Sequence, residues 1–119
     1  MNLELTILSN LVYNEKYARK VLPFLKAEYF KEKTHKIIFL EIHEYISQYD
    51  ALPSLNALSI ECQERVDLSE EQFQTILETL NVLSDDTSDY DWIVDTTEKW
   101  CQERAIYLSL MESVKIADG

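Results

Sequence analysis

The sequence predicts an all-α fold, a compact bundle of about six helices of which the last is long. Apolar residues recur along the chain at spacings of three and four, the period of a helix with one buried face. One glycine and two prolines leave few positions for the tight turns of β-hairpins. Asn or Ser stands immediately before several of the apolar runs, where helix caps are expected.

The first third of the chain predicts two short helices and a connector. The first helix carries Leu3, Ile7, Leu8, Leu11 and Val12. Asn14 is placed to cap a second helix, and Pro23 breaks or kinks that helix because its ring removes a backbone donor. The second helix is expected to bury Tyr17, Ala18 and Val21. An aromatic-rich connector follows and is expected to fold back on the core; it contains Phe24, Leu25, Tyr29 and Phe30.

The third helix is predicted from Thr34 to about Tyr49. Its core-facing stripe contains His35, Ile38, Phe39, Ile42, Tyr45, Ile46 and Tyr49. Pro53 ends this stretch, and Ser54 is placed to cap a fourth helix. The apolar face predicted for the fourth helix contains Leu55, Leu58, Cys62 and Val66.

The fifth helix has the strongest local signal in the chain. Ser69 and Gln72 form a capping-box pair, and Leu68 and Phe73 occupy the hydrophobic staple positions on either side of it. The residues predicted to face inward are Phe73, Ile76, Leu77, Leu80 and Leu83. A polar connector, residues 84–89, then leads into the last helix.

The last helix is predicted from about Tyr90 to Ala117. One face carries Ile106, Leu110, Val114 and Ala117, and a neighbouring face carries Trp100, Tyr107 and Met111. This apolar arc is too wide for a helix covered on one side only. Its partner could be the rest of the domain, another subunit or a following helix. We therefore predict a single domain in which residues 90–119 form a long helix packed on a globular bundle of residues 1–89.

The charge of the chain limits its partners. Acidic residues outnumber basic ones by 22 to 11, and the net charge is -11. Such a surface repels phosphate, so direct DNA binding is not expected and a basic protein partner is favoured. Seven basic residues fall within residues 16–36 with Tyr17, Tyr29 and Phe30 among them. A groove for single-stranded nucleic acid uses such residues, but a solvated helix face is the expected structure.

The cysteines and the apolar runs indicate the compartment. Cys62 and Cys101 are far apart and form no Cys-x-x-Cys motif, so both are expected to be reduced thiols in or near the core. The start of the chain lacks a basic segment before an apolar run, and no run of about 18 apolar residues occurs. We expect a cytoplasmic protein without a membrane span.

No motif predicts catalysis, a cofactor or a metal. His35 and His43 lie two helical turns apart, too far to share a metal ion, and a structural role is expected for His35. The only glycine is Gly119, so the chain contains no phosphate-binding P-loop. An acidic cluster lacks the glycine and the closing glutamate of a calcium loop, and a solvated loop is expected there; it comprises Asp85, Asp86, Asp89 and Asp91.

Several of these motifs together resemble the N-terminal domain of DnaB-like replicative DNA helicases, of the T-even phage type. The order and spacing of mostly core positions carry the resemblance, which spans nearly the whole chain. The matching segments are Phe30-x4-His35-x2-Ile38-Phe39-x2-Ile42, Pro53-Ser54-Leu55 with Leu58, Trp92-Ile93-Val94, and Gln102-x-Arg104-Ala105.

The resemblance implies a role in DNA replication. Helicases of this family are hexameric rings that unwind duplex DNA at the replication fork, using ATP and magnesium in a C-terminal motor domain. Their N-terminal domain is a helical bundle followed by a helical hairpin; it pairs with neighbouring subunits and docks primase in the primosome. The last helix here corresponds to the first helix of that hairpin. The implied partners are other helicase subunits and primase in the host cytoplasm, and the chain itself is implied to be a protein-interaction module without a catalytic site.

The candidate contact surface lies on the last helix and comprises Trp100, Tyr107, Leu110, Met111 and Val114. Substituting Tyr107 and Met111 with Asp is expected to disrupt self-association. A second hypothesis is a free-standing acidic helical protein that mimics DNA and blocks a basic nucleic-acid-binding partner. Its binding would be strongly sensitive to salt, whereas an apolar contact would not.

Overall fold

Six α-helices and two short 3₁₀ helices form the computed structural model, which describes residues 2–85 and 88–118. The α-helices are α1 (Leu3–Tyr13), α2 (Glu15–Val21), α3 (Lys33–Tyr49), α4 (Leu55–Gln63), α5 (Glu70–Val82) and α6 (Tyr90–Asp118). The 3₁₀ helices are Leu22–Phe24 and Ala27–Tyr29. No strand occurs among the described residues, and the predicted all-α fold with a long last helix is confirmed. The side chains of residues 116–118 lie outside the description, and so does the predicted position of Ala117 on the apolar face.

The helix starts follow the predicted caps. Asn14 Oδ1 accepts a hydrogen bond from the Tyr17 amide at 3.1 Å, and Ser54 Oγ accepts one from the Ala57 amide at 3.0 Å. The capping box of α5 is complete: Ser69 Oγ accepts from the Gln72 amide at 3.1 Å, and Gln72 Oε1 accepts from the Ser69 amide at 2.9 Å. These bonds satisfy amides that have no partner within their own helix.

The core is built around α3, which contacts α1, α4 and α5. The connector between α2 and α3 folds back as predicted, and it buries Leu25, Tyr29 and Phe30. The Phe30 ring stacks on Phe39 of α3 with centroids 5.2 Å apart. The connector therefore covers one side of the core, and α6 packs against it.

Two predicted core positions are wrong. Val66 is fully exposed because α4 ends at Gln63, and the turn that follows is held by Arg65, whose guanidinium binds Glu41 at 2.8 Å and Asp67 at 2.9 Å. Tyr49 is more than half exposed, and its ring lies against that of Tyr45 one turn earlier, with centroids 4.7 Å apart, rather than in the core.

His35 has the predicted structural role. Its Nδ1 lies 2.8 Å from Glu4 Oε1 in a buried pair that joins α3 to α1. Glu4 Oε2 also accepts a hydrogen bond from the Lys31 amide at 2.9 Å, so both carboxylate oxygens have a partner.

Cys62 and Cys101 are buried and unpaired, as predicted. Burial raises the pKa of each thiol to about 11, which keeps both protonated at neutral pH. Across the described ranges, no helix is both long enough and apolar enough to cross a bilayer.

Candidate protein-contact surface

The first half of α6 is anchored to the bundle by buried contacts. Ile93 and Thr97 are fully buried, and the Tyr17 hydroxyl of α2 lies 2.7 Å from Thr97 Oγ1. Burial raises the pKa of Tyr17 well above its usual range, so the phenol stays neutral and able to donate. This half of the helix is therefore a rigid part of the fold.

Trp100 belongs to this anchored part. It is only 9% exposed, and its ring packs edge-on against Tyr29 at 6.2 Å and Phe30 at 5.1 Å between centroids. Its spacing of seven residues from Tyr107 aligns the two along α6. The connector covers Trp100 and leaves Tyr107 half-exposed, so the structure separates Trp100 from the other four predicted contact residues.

Arg104 marks the end of the anchored half, and sequence reasoning did not assign it a role. Its Nε donates to the Tyr29 carbonyl at 2.6 Å, and its guanidinium lies 5.0 Å from the centre of the Tyr107 ring. A cation over an aromatic face is attractive, so Arg104 holds Tyr107 in place at the surface. Arg104 precedes Tyr107 by three residues, about one helical turn, and this spacing could have indicated the contact with the Tyr107 ring from the sequence.

Beyond Arg104, α6 exposes five large apolar side chains. Their exposed fractions range from 42% to 63%. We call this set the α6 stripe; it comprises Ile106, Tyr107, Leu110, Met111 and Val114. Spacings of three and four residues place the side chains on one side of the helix. A contiguous exposed apolar surface of this kind is typical of protein–protein contact sites.

Two grooves border the α6 stripe, between α6 and the connector. The larger has a volume of about 570 Å³ and includes Lys31, Lys36, Glu103, Arg104 and Tyr107 in its lining. The smaller has a volume of about 420 Å³, and Met111 is part of its lining. Among described residues, the two linings contain five of the chain's 11 basic residues and only three of its 22 acidic ones. This part of an acidic protein therefore carries a local excess of basic side chains, and it repels an acidic chain less than the protein as a whole does.

The described side chains offer no constellation for a metal ion. In residues 2–85 and 88–118, no three His, Cys, Asp or Glu side chains converge. Asp86 of the acidic cluster lies outside the described residues. Asp89 of the same cluster accepts the Trp92 amide at 3.3 Å, which is a contact at the start of α6.

Comparison with known proteins agrees with the resemblance. No family model matches the chain. The chain is 31% identical over 110 residues, 92% of its length, to a DnaB-like replicative helicase of Enterobacteria phage T4. It spans 23% of the length of that helicase, as expected for one domain of it. The predicted resemblance to this class of helicase is confirmed.

Proposed function

From this relationship to DnaB-like replicative helicases, we propose that the chain is the N-terminal oligomerisation and primase-interaction domain of a hexameric replicative helicase. Such a domain joins subunits and recruits partners, while ATP and magnesium are used in a separate motor domain. The proposed compartment is the cytoplasm of the host cell. The single observation that carries the proposal is the α6 stripe, an uncovered apolar surface on the part of α6 that follows its anchored half.

The anchoring of α6 supports a role in assembly. A partner that buries the α6 stripe removes apolar area from water, and this is the main favourable term in protein association. Thr97 and Arg104 fix the first half of α6 to the bundle, and the α6 stripe continues the same helix. The backbone of the stripe is therefore already helical before a partner binds, which lowers the entropy lost on binding. A pre-organised apolar face is therefore suited to a stable contact between subunits.

The primase contact rests on the relationship to the helicases, and we assign no residue to it. The grooves beside α6 are lined by Lys and Arg side chains together with apolar ones. An acidic or mixed-charge segment of a primase fits that chemistry better than a basic one.

The test is the self-association of a Leu110→Asp/Val114→Asp double variant. Both side chains are more than half exposed, so the fold should be retained while two charges enter the contact. We expect the association constant to fall at least a hundredfold in sedimentation experiments, because burying unpaired carboxylates is strongly unfavourable. The matched control is Val82→Asp, an equally exposed valine on α5. Equal association of the double variant and the wild-type chain would refute the proposal.

A further inference from the structure

Arg104 differs from the other two arginines of the chain in its partners. Arg19 and Arg65 each bind two carboxylates, at distances of 2.8 to 3.0 Å. Arg104 uses Nε for the Tyr29 carbonyl, and its two terminal nitrogens have no hydrogen-bond or ion-pair partner among the described residues. The chain contains 22 acidic side chains that could have supplied one. A half-buried guanidinium with free N–H donors is suited to bind an anion from outside the chain.

Two lysines line the same groove as Arg104, the larger of the two grooves beside α6. Lys31 lies at the end of the connector, Lys36 near the start of α3 and Arg104 on α6, so three elements bring the cations together. Neither lysine makes an ion pair within the part of the chain that the structure describes. The lining also contains two carboxylates, Glu28 and Glu103. Cations therefore outnumber carboxylates here, in a protein whose net charge is -11.

The two ends of this groove differ in charge. On α6 its side is formed by Trp100, Arg104 and Leu108, which are spaced by four residues and span about 12 Å. The end at Trp100 also holds Lys31, and both residues line a third groove of about 400 Å³ that continues beyond it. The end at Leu108 holds Glu28, and both residues line the smaller groove of about 420 Å³. One end is therefore cationic, and the other combines an apolar side chain with a carboxylate.

We propose that this groove binds a nucleoside 5′-phosphate. The phosphate binds Arg104 and the two lysines, whose N–H groups donate to its oxygens. The base lies toward Leu108 and packs on the half-exposed ring of Tyr107, and the Glu28 carboxylate accepts hydrogen bonds from the ribose hydroxyls. The volume of about 570 Å³ is that of a small-molecule site. This inference goes beyond the proposed function and does not depend on it.

The mixed charge of the lining favours a nucleotide over a run of carboxylates. An acidic peptide would place its carboxylates beside Glu28 and Glu103, and like charges repel. A nucleotide carries its negative charge at one end and hydroxyl donors away from it, which matches the two ends of the groove. A duplex would bring many phosphates toward a protein of net charge -11. The ligand chemistry is therefore one terminal nucleoside phosphate, in a free nucleotide or at the 5′ end of a strand.

The experiment is calorimetric titration of the whole chain with adenosine 5′-monophosphate, adenosine and inorganic phosphate. The nucleotide should bind at least tenfold more tightly than adenosine or phosphate, because it alone engages both ends of the groove. Lys36→Glu should weaken nucleotide binding at least tenfold, whereas Lys36→Arg should keep it within about threefold. The matched control is Lys20→Glu on α2, an exposed lysine outside the groove lining, which should change the affinity by less than about twofold.

Tyr107→Ala tests the site of the base. It should weaken binding of adenosine 5′-monophosphate at least fivefold, because stacking is lost, and should leave binding of inorganic phosphate unchanged. An equal loss for both ligands would mean that the ring serves only to hold Arg104, and it would overturn the assignment of a nucleotide.

Two further probes identify the source of the phosphate. They are a five-residue oligoadenylate with a 5′-phosphate and the same strand without it. Tighter binding of the phosphorylated strand than of the mononucleotide indicates a strand end, and the reverse order indicates a free nucleotide; both support the proposal. Absence of binding by all of these probes at millimolar concentration overturns it, and so does a hexaglutamate peptide that binds as tightly as adenosine 5′-monophosphate.

The outcomes are independent of those that test the proposed function. Lys31 and Lys36 lie outside the α6 stripe, so Lys31→Glu and Lys36→Glu should leave self-association unchanged in sedimentation experiments. A chain that self-associates but binds no nucleotide overturns this inference alone. A chain that binds the nucleotide but stays monomeric overturns the proposed self-association alone. Circular dichroism of each variant confirms that the helices are retained.

Discussion

At the level of single residues, the position of α6 depends on a few polar contacts at its inner face. Tyr17 and Thr97 form a buried hydroxyl pair, and Arg104 donates to the connector carbonyl of Tyr29. Such groups are costly to bury without partners, so each contact fixes a relative position of two elements. These contacts at the inner face fix the rotation of the first half of α6 about its axis, and so they determine which of its side chains face outward.

The Tyr17 contact makes a quantitative prediction. Tyr17→Phe keeps the ring but leaves the buried Thr97 hydroxyl without its partner, so we expect a loss of about 1–3 kcal/mol in the free energy of unfolding. Urea denaturation measures this loss. The exposed Tyr13 provides the control, and Tyr13→Phe should leave the stability unchanged.

The double variant Tyr17→Phe/Thr97→Val checks the cause. It removes both hydroxyls at once and should be less destabilised than the sum of the two single variants, because no polar atom is left unpaired. Strict additivity would mean that the two hydroxyls do not interact.

Residue-level features differ in how far the sequence predicts them. The structural role of His35 followed from its place on an apolar helix face, although its partner Glu4, 31 residues away, did not. Trp100 and Tyr107 look equivalent in sequence because they occupy the same side of α6. Their exposure differs because the connector ends between them, and such coverage is a property of the tertiary fold.

At the level of elements, helix starts were predictable because they are encoded locally. Asn14, Ser54 and Ser69 each cap the helix that follows, as their positions indicated. Helix ends were less predictable: α4 ends at Gln63, and Arg65 in the turn that follows binds Glu41 of α3, a contact between distant parts of the sequence. The period of the apolar pattern gives the face of a helix, and the neighbours decide how much of that face is buried.

The cap of α5 provides the prediction at this level. Ser69→Ala removes the acceptor for the Gln72 amide and should cost about 1 kcal/mol in the free energy of unfolding. Ser47→Ala, at an exposed position inside α3, is the matched control and should change stability by less than about 0.5 kcal/mol. Thermal or urea unfolding compares the two; equal effects would show that the capping box adds nothing.

At the level of the whole molecule, the chain combines a strongly acidic surface with one uncovered apolar face. Two copies, each with a net charge of -11, repel one another at long range, so the contact must lie where the acids are sparse. The α6 stripe and its lysine-lined grooves meet that condition. The alternative hypothesis, an acidic DNA mimic, uses the acidic surface itself and needs no self-contact.

Sedimentation equilibrium of the unaltered chain over a range of concentrations and salt tests the central claim most directly. If the α6 stripe is a contact between copies, the mass should rise above that of the 14.0 kDa monomer with concentration. The association should persist from about 0.05 M to about 1 M salt, because screening removes the repulsion between acidic chains and leaves apolar burial intact. A mass of 14.0 kDa at every concentration and salt would contradict the claim.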